Sequence, residues 1–327
     1  MHFFRKQTAI LQIIFLGLFA SLQGSTVFDK VAEIEHIIQQ DPGNRGVYNF
    51  YTTALFDAAE SLQKKNHVAI LTGFFIPSAQ RPETDGPLGA VFLAESLIAL
   101  GKQVTIVTDK SCLLAITACV DILKDKISPS LFSIAIFPEV KEEQDRFVSS
   151  LCEQIDCLVS IERVGRTFDG TYRSMRAIDI TDKTAPLDDL FIYAQKKPEL
   201  HITTISIGDG GNEIGMGVKV EDVKKYISKG DQIACVIPAD HLIVTGVSNW
   251  GGYALAGALW CIASEDSEKT ISIDQVYPSI EKQFQMLENM ILMDCCDGVL
   301  GKPVLSVDGM PWDVHQKILE DIRKLLE

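Results

Sequence analysis

The sequence lacks the standard signatures of nucleotide-binding proteins. A dinucleotide-binding loop has the pattern Gly-x-Gly-x-x-Gly, but the glycine-rich stretch that begins at Gly208 has Glu213 at the last glycine position. A P-loop needs Ser or Thr after Gly-Lys, and Gln103 and Pro303 stand there instead. The sequence therefore gives no direct support for NAD or ATP as a ligand.

Basic residues are also scarce. The 327 residues include 30 Lys and Arg against 44 Asp and Glu, which gives a formal net charge of −14. Protein faces that bind nucleic acid need clustered Lys and Arg to neutralise phosphates, so we expect no nucleic-acid partner. Hydrophobic residues make up 46 % and charged residues 23 %, which is ordinary for a globular chain with a large core.

The eight cysteines show neither disulfide nor zinc-binding spacing. No two of them form Cys-x-x-Cys, and several lie inside apolar runs, as Cys157 and Cys235 do. Such cysteines usually act as small buried hydrophobic residues. The six histidines contain no His-x-x-x-His pair, and no Ser/His/Asp or Cys/His arrangement for nucleophilic catalysis is apparent.

The first 28 residues resemble a signal or targeting segment. Arg5 and Lys6 precede a mostly apolar run at residues 9–20, and no acid occurs before Asp29. This run matches the apolar part of a signal peptide and is too short to span a membrane comfortably. The rest of the chain has no Asn-x-Ser/Thr sequon and no disulfide framework, which argues against export.

Short apolar runs alternate with helix-length stretches from residue 68 onward. Continuous apolar runs are typical of strands buried on both faces, and their alternation with helices predicts a parallel sheet covered on both sides. We expect one domain over residues 29–327 with a doubly wound α/β fold, a mostly parallel sheet and helical N- and C-terminal flanks; two lobes are the alternative. The predicted strands are Val68–Phe75, Val104–Thr108, Ser133–Phe137, Cys157–Ile161, Ile202–Ile207, Ile233–Ile237 and Leu242–Val247.

The stretch Gly208–Gly217 holds five glycines and directly follows the predicted strand Ile202–Ile207. Glycine lets a backbone turn sharply and approach a ligand closely. A strand of an α/β sheet that ends in such a loop usually ends at a binding site. Asp209 and Glu213 lie among the N–H groups of this turn. We expect a binding site here, and a plain turn with a capping Asp is the alternative.

Two further polar turns connect a predicted strand to a helix. The first contains Glu83 and Asp85, and the second contains Ser248 and Asn249. Such residues commonly cap helices, although Asn249 could equally orient a substrate amide or carboxyl group. Because such turns gather at one edge of a parallel sheet, we expect a single acid-lined cleft. Neighbouring carboxylates separate each other's pKa values into an acid and a base. The same oxygens could bind a divalent cation, Mg²⁺ or Mn²⁺.

Arginines are concentrated in one segment of this acidic chain. Arginine binds carboxylates through two parallel hydrogen bonds, so we expect at least one of these residues to meet an anionic ligand. Salt bridges to surface acids are the alternative for any one of them. Arg45 lies in another candidate turn at residues 41–46. The segment at residues 162–176 contains Arg163, Arg166, Arg173 and Arg176.

These segments, in this order, resemble the C-terminal domain of the D-glutamate cyclase family. The similarity covers about residues 31–326 and rests on long, unusual motifs. The matching motifs are Asp41–Gly46, Glu83–Ala90, Ile161–Arg166, Asp169–Tyr172, Gly208–Gly217, Gly246–Leu255 and Val307–Gly309.

The resemblance implies a carbon–oxygen lyase of the hydro-lyase kind that converts a small amino acid, D-glutamate, to 5-oxo-D-proline and water. For this reaction we expect Asp209 to act as base on the amine, and Glu213 or Asp85 to act as acid on the departing oxygen. The N–H groups of Gly210 and Gly211 would stabilise the oxyanion. The substrate-binding residues would be Arg163 or Arg166 on the α-carboxylate, with Arg45, Ser248 and Asn249.

The resemblance also implies that a part is missing here. The vertebrate enzyme resembles a fusion with a large N-terminal half similar to hydro-lyases, and this sequence matches the C-terminal half alone. We therefore keep two alternatives: a small-acid-binding module that depends on a partner, and a metal-assisted hydrolase of cyclic amides. The partner would be a second copy of the chain or a separate N-terminal-half protein. The family suggests the mitochondrial matrix or the cytoplasm, with export as the alternative.

Overall fold

The computed structural model describes residues 26–123, 128–265 and 271–327. Within these ranges no helix is both long enough and apolar enough to cross a membrane. The targeting segment predicted at residues 1–28 lies almost wholly outside the described residues.

Six parallel strands form the central sheet. Their bounds are β1 His67–Thr72, β4 Gln103–Thr108, β5 Phe132–Ile136, β6 Cys157–Ile161, β7 Thr203–Gly208 and β8 His241–Val244. In space they lie in the order β5-β4-β1-β6-β7-β8, and every neighbouring pair is parallel. Outside this sheet lie two short antiparallel pairs, β2 Phe75–Ile76 with β3 Arg81–Pro82 and β9 Ser306–Val307 with β10 Met310–Pro311.

Helices cover both faces of the sheet. In β1, Val68 and Ile70 belong to one hydrophobic core and Ala69 and Leu71 to another, because successive side chains of a strand point to opposite faces. The predicted doubly wound α/β fold is thus confirmed. The helices are α1 Val27–Ile38, α2 Leu55–Gln63, α3 Pro87–Ala99, α4 Leu113–Val120, α5 Lys141–Cys152, α6 Asp188–Lys196, α7 Val220–Tyr226, α8 Gly230–Ile233, α9 Ser248–Ala263, α10 Ile273–Val276, α11 Ile280–Leu292 and α12 Trp312–Leu326.

The two ends of the described chain meet on α9. The N-terminal helices α1 and α2 and the C-terminal helix α12 all pack against it. Its residues from Trp250 to Leu259 are buried, as expected for a helix that is apolar on all sides. These three helices are the flanks that the sequence predicts.

The predicted strand Ile233–Ile237 does not join the sheet. Ile233 ends α8, and the chain then runs beside two loops instead of a strand. Cys235 N–H donates to Gly211 O (3.1 Å), and Val236 N–H donates to Arg166 O (3.0 Å). The apolar run therefore indicated burial correctly. An extended segment joins a sheet only if its N–H and C=O groups bond to a neighbouring strand, and here the N–H groups bond to loops.

The chain direction across the sheet reverses between β1 and β6. From β1 the chain proceeds through β4 to β5 on one side, and from β6 through β7 to β8 on the other. In doubly wound sheets the crevice at such a point, outside the carboxyl ends of the strands, is the usual place for a ligand. The segments that follow β1, β6 and β7 supply most of the acids described next.

Candidate active site

Two carboxylates meet the N-terminus of helix α9. Ser248 N–H lies 3.0 Å from Asp85 Oδ2 and 3.1 Å from Asp209 Oδ2, and Asn249 N–H donates to Asp85 Oδ1 at 2.9 Å. The helix has no side-chain cap of its own at Val247. The first N–H groups of a helix lack partners within it and carry partial positive charge, so they attract these two acids.

The two helices that begin beside these acids cap each other. Asp85 precedes α3 and caps α9, whereas Asn249 Oδ1 accepts from two N–H groups at the start of α3, those of Gly86 (2.9 Å) and Gly89 (2.8 Å). Glycine is required for this approach, because a Cβ atom on Gly89 would lie 2.8 Å from Asn249 Cα. The Asn249 amide, which we expected to orient substrate, is thus engaged in joining the helices, and its Nδ2 donates to Thr84 O at 3.2 Å.

Glu162 adds a third carboxylate. It directly follows β6, and its φ of 45° is a left-handed conformation that is uncommon for a residue with a side chain. Ser248 Oγ donates to Glu162 Oε2 at 2.5 Å. Carboxylate oxygens of Asp85, Glu162 and Asp209 all lie within 4.8 Å of one another, and we call these three residues the acidic triad. All three are buried. Such closely spaced carboxylate oxygens are the ligands that hard cations prefer.

Arg45 compensates part of this negative charge. Its guanidinium forms ion pairs with Asp209 and Asp308. The turn that carries it is fixed by Asp41, which accepts from Arg45 N–H (2.9 Å) and from Gly46 N–H (2.7 Å). Asp308 also has a left-handed backbone, with φ of 57°. Its side chain is buried, yet its Oδ2 finds no hydrogen-bond partner within the described ranges.

Glu213 bonds to the backbone of its own turn, the stretch Gly208–Gly217, which we call the glycine-rich loop. Its carboxylate is fully buried and accepts from Gly210 N–H and Gly211 N–H, both at 2.7 Å. Buried N–H groups need partners, and this side chain supplies the acceptors for both of them. The two N–H groups that we expected to stabilise an oxyanion are therefore already occupied.

A cavity of about 140 Å³ opens beside the acids. This volume is enough for several water molecules or one small organic acid. The charged residues of its wall are Glu83, Glu162, Asp209, Asp308, Arg45 and Arg176. The rest of the lining comes from Phe74, Ile76, Pro77, Ser174, Met175, Gly298 and Val299. A wall with both polar and apolar parts suits a small charged ligand with an aliphatic chain.

Burial raises the pKa of the acids in this cluster. The pKa of Asp209 rises to about 6 and that of Asp308 to about 7, because burial outweighs the opposing effect of Arg45. A raised pKa lets a carboxyl group hold or exchange a proton nearer to neutral pH, which suits acid–base chemistry. Burial, reinforced by neighbouring carboxylates, places the pKa well above its ordinary value for Glu83, Asp85 and Glu162.

The arginine-rich segment contributes to the cavity through a different residue than we expected. Arg163 is buried, and its Nη2 lies 2.6 Å from Asp109 Oδ2. Arg166 Nε lies 2.8 Å from Asp188 Oδ2. Neither of the two lines the cavity, whereas Arg176 does. The folded chain provides nearer acids for Arg163 and Arg166 than the cleft does, and both of these acids are distant in the sequence.

Three cavity residues were not named individually as site residues from the sequence. Glu162 carried the same signal as Asp209, an acid placed directly after a buried strand, and could have been singled out on that ground. Asp308 lies in the motif Val307–Gly309, where local sequence indicates only a turn. Arg176 was one of four arginines with nothing local to distinguish it from the others.

Comparison with known proteins agrees with the motifs. Residues 34–323 match the protein family described as D-glutamate cyclase-like, C-terminal. The chain is 35 % identical over 333 residues to the mitochondrial D-glutamate cyclase of Homo sapiens, an alignment that covers 94 % of this chain and 53 % of the human protein. The chain thus spans about half the length of this curated relative. On both grounds, the chain belongs to the D-glutamate cyclase-like family and corresponds to its C-terminal domain.

Proposed function

We propose that this protein is a lyase. In the acidic cavity it would cyclise D-glutamate to 5-oxo-D-proline with loss of water. The observation that supports this proposal most directly is the group of buried carboxyls that lines the cavity around Arg45. In the reaction the α-amine nitrogen bonds to the γ-carboxyl carbon and one γ-oxygen leaves. The nitrogen gives up two protons and the leaving oxygen takes up two. A group of side chains that both accept and donate protons suits this exchange.

Asp308 is best suited to accept the proton from the amine. It lines the cavity, its Oδ2 has no partner within the described ranges, and burial raises its pKa to about 7. Asp209, the base that we expected from the sequence, has Arg45 on one oxygen and Ser248 N–H on the other. We therefore assign Asp209 to holding Arg45 and the substrate in position, and Asp308 to the proton transfer.

Glu83 is best suited to donate the proton to the departing oxygen. It directly follows β3 and lines the cavity, and burial holds its pKa well above the ordinary value. A raised pKa suits a carboxyl group to act as a general acid, because the group keeps its proton more readily. The acids that we expected for this role do not line the cavity: Asp85 caps α9 and Glu213 caps the glycine-rich loop.

We also propose that the acidic triad holds a divalent cation, Mg²⁺ or Mn²⁺. Three buried carboxylates within 4.8 Å of one another repel each other strongly unless protons or a cation balance them. Their oxygens match the ligand preference of both ions. A bound cation would polarise a carboxylate oxygen of the substrate. Asp85 and Glu162 are fixed for this role by hydrogen bonds from helix α9 and from Ser248 Oγ.

The direct test is to incubate the purified chain with D-glutamate, and separately with 5-oxo-D-proline, and to follow both by chromatography. Each incubation is run with Mg²⁺, with Mn²⁺ and with a chelator, and L-glutamate serves as the control substrate. We expect interconversion of the two D-compounds that depends on the cation. Conversion of 5-oxo-D-proline alone would favour the cyclic-amide hydrolase, and the absence of any conversion would reject the catalytic proposal for the isolated chain.

A second candidate is a small-acid-binding module that depends on a partner. It is favoured by the length comparison, since the chain aligns with about half of the human relative. The partner would be a second copy of this chain or a separate protein that corresponds to the unmatched half. In that case D-glutamate should raise the melting temperature of the chain without being converted, because a ligand that binds only the native state stabilises it.

A further inference from the structure

An anionic substrate needs a cation in the cavity that is not already neutralised. Four acids line the cavity against two arginines, Arg45 and Arg176. The guanidinium of Arg45 is engaged on both sides by Asp209 and Asp308. D-glutamate brings two further carboxylates, so a residue that binds one of them without breaking an existing ion pair is required.

The other arginines of the 162–176 segment are bound elsewhere. Arg163 pairs with Asp109, and Arg166 pairs with Asp188. Arg173 lies 2.9 Å from Asp169 through its Nη2 and does not line the cavity. None of these three is therefore available to a ligand in the cavity.

Arg176 differs from all of them. It makes no ion pair in the part of the chain that the structure describes, and its one guanidinium hydrogen bond runs from Nη2 to Val299 O at 3.0 Å. Its backbone is nonetheless fixed, because Lys229 Nζ donates to Arg176 O (2.8 Å) and the next residue, Ala177, closes a turn onto Ser174 O (2.8 Å). A guanidinium has five N–H donors in a planar fork, so most of this one remains free to bind.

Val299 and Arg176 come from two loops that are far apart in the sequence, and both residues line the cavity. Arg176 is exposed to solvent, whereas the four acids that line the cavity are buried. The cavity thus has a cationic outer end and an acidic inner end. A substrate with a reacting carboxyl at one end and a non-reacting carboxylate at the other fits this polarity in one orientation.

We propose that Arg176 is the substrate-binding residue that holds the α-carboxylate of the substrate at the outer end of the cavity. The γ-carboxyl group then lies among the inner acids, where the chemistry occurs. This inference rests on the proposed function for the identity of the ligand. It extends that proposal to specificity, because the site would select ring and open-chain acids that carry a carboxylate beside the nitrogen-bearing carbon.

The test is calorimetric titration of the full chain with three ligands: D-glutamate, 5-oxo-D-proline and 2-pyrrolidinone, which is the same ring without the carboxylate. In Arg176→Ala, we expect binding of the two carboxylate ligands to weaken roughly ten- to hundredfold. Binding of 2-pyrrolidinone should stay as weak as in the wild type. Arg176→Lys should recover only part of the loss, because an ammonium group cannot reproduce the planar fork.

Arg173→Ala is the matched control, since it removes a partly exposed arginine that does not line the cavity, three residues away in the same segment. It should leave all three affinities unchanged. Wild-type affinity of Arg176→Ala for 5-oxo-D-proline, with an unchanged melting temperature, would overturn the inference. If the wild-type chain binds and converts none of these ligands, the proposed function fails first; if it binds them and Arg176→Ala binds equally well, only the role of Arg176 fails.

Discussion

Two polar clusters formed partly by the same segment, residues 162–176, differ in how completely their charges are paired. In the first, Arg166 donates to both oxygens of Asp188 (2.8 and 2.9 Å), and Tyr172 Oη donates to the same carboxylate at 2.6 Å. In the second, the cavity, Arg45 serves both Asp209 and Asp308, and Asp308 Oδ2 is left without a partner in the described chain.

This difference in charge pairing distinguishes a cluster that stabilises the fold from one that can bind a ligand. A buried charge with a full set of partners fixes one arrangement of the chain and has no capacity left for a ligand. A buried carboxyl group without such partners is unfavourable in the free protein, and its raised pKa expresses that cost. Natural binding sites are commonly less stable than they could be, because their polar groups are kept available for a ligand. The cavity, and not the Arg166 cluster, therefore has the character of a site.

The largest expected effect is on catalysis. Replacing Asp308 by Asn should lower turnover of D-glutamate by about 10²–10⁴-fold if this residue is the base. Asn keeps the shape of the side chain and tolerates the left-handed backbone at this position, so the fold should persist. Steady-state kinetics and circular dichroism together measure the effect. Turnover close to that of the wild type would remove Asp308 from the mechanism and would return the role to Asp209.

The Arg166 cluster should respond in the opposite manner. Arg166→Ala leaves Asp188 buried without its cation, which should lower the free energy of unfolding by about 3 kcal/mol in urea denaturation. The affinity for D-glutamate should not change. Arg173→Ala, which removes a partly exposed pair, should cost less than about 1 kcal/mol. A loss of ligand affinity in Arg166→Ala, with stability preserved, would contradict the division between the two clusters.

A divalent cation should stabilise the acidic cluster selectively. At Mn²⁺ concentrations about a hundredfold above its Kd, the free energy of unfolding should increase by about 2.7 kcal/mol. Glu162→Gln removes a member of the acidic triad and should abolish most of this gain. Glu139→Gln, which alters an exposed acid, is the control. An equal gain in both variants would mean that the cation binds elsewhere.

The smallest effect is a slope of stability with pH. Burial raises the pKa of Asp308 from 3.8 to about 7, so the folded state binds a proton that the unfolded state releases. The resulting stabilisation is complete below about pH 4 and is lost as the pH rises towards 7. Relative to Asp308→Asn, the wild type should therefore lose at most about 1.4 kcal/mol per pH unit in this window, measured by denaturation with a chelator present. A difference that is independent of pH would mean that Asp308 stays ionised in the fold.

The sequence predicted the sheet and most of its surroundings. The parallel strands and the glycine-rich loop after β7 were expected because burial and turns leave local signals, such as apolar runs and glycines. Asp209 was placed correctly at the carboxyl edge for the same reason. Helix capping was predicted less well. Asp85 and Asn249 do cap helices, but Asp85, which precedes α3, caps α9, and Asn249, at the start of α9, caps α3.

What the sequence determined by itself is the class of fold, the edge of the sheet at which the candidate site lies and the acidity of the residues there. Each follows from properties that neighbouring residues share, namely periodicity, glycine content and charge. The tertiary structure alone decided which charges are paired. Arg166 and Arg176 stand in the same arginine-rich segment, yet one meets Asp188 and the other the cavity. Electrostatic interaction depends on distance in space, and the fold brings distant segments within a few ångströms of each other.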